Sequence, residues 1–138
     1  MNKRNLVNIG RWVAVLPAAA SGLFLGSTIS NIFFAIQRFF VGGSPDSFWA
    51  DVNYWLLSAG IASAAAVYFG CRAAPSQRKI VSLILGAILV ILVTVSVMGS
   101  FYVGEDVAWT IASAVASMFG AGVIIHTFFE EGEKYTFS

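Results

Sequence analysis

Charge is what this chain lacks most. Of its 138 residues only 11% are Asp, Glu, Lys or Arg, and 58% are hydrophobic; soluble domains carry about a quarter charged residues. With a mean hydropathy of +0.81, the chain has too little polar surface to cover itself against water, which excludes an ordinary soluble globule. Cysteine is nearly absent as well. Cys71 stands alone, so there is no intrachain disulfide and no C-x-x-C pair. His126 is the single histidine. A bis-histidine haem is therefore excluded within one chain, although His126 could give one axial ligand to a site shared with a partner.

Other absences narrow the function classes. The sequence has no H-E-x-x-H pattern, and its glycines form no phosphate-cradling loop. No acid or base falls in the middle of a long apolar run, where proton- and sodium-coupled transporters keep one; this argues against a small drug/proton antiporter, whose size the chain approaches. The few basic residues are explained by membrane topology and offer no nucleic-acid footprint. The expectation is a protein without catalytic residues, bound metal or cofactor.

What is present is apolar length. Residues 12–37, 52–71, 80–104 and 107–129 contain no Asp, Glu, Lys or Arg. Each run matches the roughly 20 residues that a helix needs to cross a bilayer, where backbone groups must be satisfied internally. We therefore expect an all-α membrane protein made of one domain, 1–138, with spans near 12–37, 46–71, 78–102 and 106–129 and a short acidic tail, 130–138. The first run could be mistaken for a signal peptide. Pro17 interrupts it after Val13-Ala14-Val15-Leu16, however, and the apolar pattern continues to Phe34, so a retained helix is expected.

Orientation follows from Lys and Arg. Lys3, Arg4, Arg11, Arg72, Arg78, Lys79 and Lys134 lie in the N-terminal segment, the middle connection and the C-terminal tail, and Arg38 alone lies on the other side. This places both termini in the cytoplasm, with the bacterial inner membrane as the expected location. The outer connections hold Asp46, Asp51, Glu105 and Asp106, and Phe39, Phe40, Phe48, Trp49, Trp55, Tyr102 and Trp109 form an outer aromatic belt. Ser44-Pro45-Asp46 reads as the start of the second helix, Glu105-Asp106 as that of the fourth, and Ser76 as a cap for the third. Gly132 is expected near the end of the fourth helix, where Glu130, Glu131 and Glu133 meet an unfavourable dipole. Connections of about 5 to 12 residues predict antiparallel neighbours in an up-down bundle. Both outer connections carry F-[FY]-V-G followed by D-x-x-W. Either a duplicated hairpin or shared interfacial chemistry accounts for that.

Small residues recur at helical spacing. The first span has Gly22, Gly26 and Ser30, the second Gly60 and Ala64, and the fourth Ala112, Ala116 and Gly120. Such stripes let backbones approach closely where lipid provides no hydrophobic gain. The third span, nearly all Val, Ile and Leu, is expected to show most surface to lipid. Polar residues concentrate in the outer halves, among them Ser27, Asn31, Ser63, Ser113 and Ser117. They form either an outward vestibule behind a cation-favouring acidic mouth or interhelical and own-backbone hydrogen bonds. Two functions remain. One is a non-catalytic subunit or accessory component that packs on other membrane subunits through its small-residue faces. The other is a small homo-oligomeric pore with an outer vestibule, which would need a polar track continuing inward.

Overall fold

The computed structural model describes residues 3–41, 48–74, 77–104 and 106–134. Within them the chain forms α1 (Lys3–Val13), α2 (Val15–Val41), a short α3 (Phe48–Asp51), a π-helical turn (Val52–Leu57), α4 (Ser58–Ala73), α5 (Arg78–Val103) and α6 (Val107–Lys134). Four helical stretches are long and apolar enough to cross a bilayer: Val15–Phe40, Tyr54–Ala73, Arg78–Val103 and Val107–Glu131. The protein is a helical-bundle, multi-pass membrane protein.

The helix starts earlier than the charge pattern suggests, because α1 already carries the basic N-terminal segment. It is separated from α2 at Ala14, and Pro17 is the physical reason. Proline has no N–H to give the Val13 carbonyl, and its ring crowds that carbonyl. The bonds on either side survive: Ala14 N–H donates to Gly10 O at 3.0 Å and Ala18 N–H to Ala14 O at 2.9 Å. At the other end, α6 runs two residues past Gly132 to Lys134. The Ser44-Pro45-Asp46 cap, the Ser76 cap and Glu105 lie outside the described residues. Before α5, Gln77 takes a left-handed conformation (φ 55°), and its carbonyl accepts from Ile80 and Val81. Gly104, at φ 73°, closes α5 by donating its N–H to Ser100 O at 3.0 Å, a left-handed glycine cap.

α4 is the hub. It packs along α2, α6 and α5, whereas α2 makes no comparable contact with α5 or α6. Composition explains this. From Ser58 to Ala66 every residue of α4 except Ile61 is Ser, Ala or Gly, so the helix is thin there and α2 and α6 can approach its backbone from two sides, while α5 meets it further along, at Gly70 and Cys71. The pairing register is explicit. Ala19, Gly22 and Gly26 of α2 fall opposite Gly70, Ala65–Ala66 and Ala62 of α4. Residues rise together along α4 and α6, with Gly60 beside Ala116 and Gly120 and the Tyr68 ring 6.2 Å from that of Phe128.

The best-buried apolar cluster gathers Val15 and Ala19, Val67 and Cys71, Val81 and Leu85, and Ala121 and Phe128. It thus draws on all four long helices at the end that carries Arg72 and Arg78. The expectation about the third span holds only in part. α5 turns Ile84, Ile91, Leu92 and Val95 outward, but α6 has the fewest fully buried positions along its apolar length. Apart from Phe128, it touches its neighbours mainly through small side chains.

Candidate functional site

The small-residue faces are built into contacts of the chain with itself. A methyl group placed on Gly22 would come within 2.5 Å of the Ala65 carbonyl oxygen, and one on Gly26 within 2.7 Å of Ala62 Cα. Ser30 completes this buried edge of α2, donating its hydroxyl to Gly26 O at 2.9 Å. On the opposite side of α4, a methyl on Gly120 would strike the Gly60 carbonyl, and one on Gly60 would lie 3.3 Å from Ala116 O. Glycine is required at Gly120 by this close approach alone, since its backbone is helical. Ala112 is half-buried on α6. Two further contacts involve Gly70, which lies beside the second span's small residues, and Gly86, which no stripe marked. Gly70 faces Leu85 and Ala19, and Gly86 faces Ile125, whose Cδ1 would lie 2.8 Å from an added methyl. A lone glycine in an apolar run is the signal that could have found Gly86.

One side of the α4–α6 seam stays open. Gly60, Ala64, Ala116 and Gly120 floor a shallow apolar groove there, with Leu57 and Phe119 among its walls. Ala64 thus faces this groove, while Ala62, Ala65 and Ala66 of the same helix face α2.

The polar residues divide in the same way. Ser63 and Ser117 converge: Ser63, nearly fully buried, donates to Ala59 O within its own helix, and the Ser117 hydroxyl reaches the same carbonyl from α6 at 3.4 Å. The others stay apart. Ser113 donates to Thr110 O at 2.8 Å and Ser27 to Phe24 O at 2.9 Å, each within one helix. Asn31 is exposed on α2 and has no hydrogen-bond partner among the described residues. A second polar contact between helices joins Ser100 of α5 to Thr110 of α6, whose hydroxyls lie 3.1 Å apart.

Charged groups keep to the helix ends. His126 Nδ1 lies 3.8 Å from a Glu130 carboxylate oxygen, one turn along the exposed face of α6, as their four-residue spacing predicts. Arg72 sits over the Tyr68 ring at 5.8 Å and Lys79 over Phe129 at 5.4 Å, geometries of cation–π attraction. Cys71 is buried and its thiol lies 3.9 Å from the Arg78 carbonyl, so it fills space between α4 and α5. The described residues bring no three of His, Cys, Asp and Glu together as a metal site. Comparison with protein families, curated proteins and solved structures finds no match to this chain.

Proposed function

We propose that this protein is a non-catalytic subunit or accessory component of a membrane complex, an up-down bundle with both termini in the cytoplasm of a bacterial cell. The orientation rests on the distribution of Lys and Arg described above. Asn31 carries the functional reading. It stands about 5 Å from the middle of the Val15–Phe40 span, which is about 39 Å long at 1.5 Å per residue. That puts it inside a hydrocarbon layer about 30 Å thick. There the exposed amide has no water to bond, and leaving it unpaired costs roughly 1–3 kcal/mol or more. A polar group on a neighbouring membrane helix would satisfy it.

Two features support the same reading. α2 is held on one side only, by α4, so most of its circumference is free to receive another helix. The groove floored by Gly60, Ala64, Ala116 and Gly120 offers a second close-packing surface. The small stripes themselves are largely used within the chain, so Asn31 and the open side of α2 are the stronger argument for assembly.

The test is purification of the tagged protein in mild detergent, with native mass spectrometry of what elutes, for the parent and for Asn31→Ala. Other membrane proteins at fixed stoichiometry, lost or reduced in the variant while its helicity is kept, are the expected result. A homo-oligomer free of other proteins would overturn the subunit reading in favour of the pore, and bilayer recording would then follow. A monomer in both samples would overturn assembly altogether.

A further inference from the structure

α1 is strongly two-sided, and the charge it carries sets it at the edge of the hydrocarbon layer rather than within it. Centred on that layer, the Val15–Phe40 span already exceeds its thickness, which sets the residues before Val15 in the headgroup region or beyond it. Yet Ile9, Trp12 and Val13 are exposed, and a helix that left the membrane along the α2 axis would hold them in water. At 100° per residue Ile9 and Val13 fall on one face, with Trp12 at its edge, while Asn8 and Arg11 fall on another, together with the exposed Val7.

Charge and joint point the same way. Lys3, Arg4 and Arg11 lie within α1, and no acid occurs before Asp46. The joint to α2 is the turn where Pro17 leaves the Val13 carbonyl without its helical bond, the place where a continuous helix bends most easily. An apolar face, a basic face and a low net hydrophobicity are the properties of helices that lie in the membrane interface.

We infer that α1 bends at the Ala14–Pro17 turn and lies along the inner leaflet, its Ile9–Val13 face in the acyl boundary and Arg11 on anionic lipid headgroups. The occupant of the exposed face is thus the anionic bilayer surface, which attracts basic segments within a Debye length. The inference is independent of any partner subunit.

The experiment uses the full chain with Cys71→Ala and single spin labels at Asn8, Ile9 or Val13. The protein is reconstituted in phosphatidylcholine vesicles with and without phosphatidylglycerol, and oxygen and a water-soluble nickel chelate serve as relaxation agents. The expected result is oxygen-dominated relaxation at Ile9 and Val13 with nickel-dominated relaxation at Asn8. The contrast should fall several-fold without phosphatidylglycerol, in high salt, or in Arg11→Gln, an exposed position whose loss leaves the bundle intact. Equal nickel access at all three sites in both vesicle types would overturn the proposal. So would a contrast of the same size in phosphatidylcholine alone, because the surface would then be held without anionic headgroups.

Discussion

Gly120 and Gly60 show how much one hydrogen in place of a methyl decides here. The α4 and α6 backbones touch at this pair, and neither can draw back without breaking the seam. Gly120→Ala should therefore destabilise the protein by about 1–3 kcal/mol through overpacking, read as a lower midpoint of thermal unfolding in detergent. Gly99 and Gly122 are the controls. An added methyl meets nothing within 4 Å at either, so alanine there should be neutral or stabilise by up to about 1 kcal/mol from helix propensity. The hydroxyl pair of Ser100 and Thr110 is a smaller matter. A double-mutant cycle with Ala at both positions should give a coupling of about 0.6 kcal/mol, and no more than about 1.7, because each hydroxyl also has an own-helix carbonyl as an alternative partner, Ser96 O and Asp106 O. The glycines were legible as a spaced stripe. Which of them press on backbone and which face open space was not, since spacing along one helix says nothing of its neighbour.

At the scale of the element, the four long apolar helices sit where charge-free runs predict them, and the departures lie at their ends and interruptions. α1 was hidden because its basic residues read as a topology signal rather than as one face of a helix. The Ala14 break follows from Pro17. Pro17→Ala should supply the missing N–H to Val13 O and slow amide exchange through residues 13–18; unchanged exchange there would mean that the break has another cause. The π-helical turn Val52–Leu57 contains neither proline nor glycine, and no composition rule marks it. It packs against α2 and α6, so tertiary contacts are the only visible reason for the wider winding. Asn31 is an instructive case. Its polarity inside an apolar run marked it, and the structure sets it on the side of α2 that no other helix covers.

The whole molecule is a hub with three dependents rather than a ring of four helices. α2 is joined to the rest through α4, while α4, α5 and α6 also contact one another. Widening the α2–α4 contact should accordingly detach α2 alone. In Gly22→Leu, spin-label distances from Phe24 of α2 to Tyr68 of α4 should lengthen and broaden, while those from Phe69 of α4 to Val115 of α6 stay as in the parent; a change in both would show a closed, mutually dependent bundle. The possible duplication has a counterpart at this scale. Gly26 packs over Ala65, and sixty residues on Gly86 packs over Ile125, while Gly60 meets Gly120. The likeness is incomplete, since α5 packs on α4 and α2 has no such contact with α6.

By itself the sequence determined that the chain enters a membrane, how many helices are long enough to cross it, and which residues are small enough for helices to meet. These are one-dimensional quantities, set by apolar run length and the 3.6-residue period against a solvent that tolerates neither charge nor free backbone groups. Tertiary structure decided which small residues meet which, that α4 takes the centre, that Ser63 and Ser117 share a carbonyl while Asn31 finds none among the described residues, and that Gly60 and Gly120 lie backbone to backbone. Those outcomes depend on the rotation of each helix about its axis and on the choice of neighbour. Between spans that are all equally at home in lipid, van der Waals fit makes that choice, and fit exists only once two surfaces are brought together.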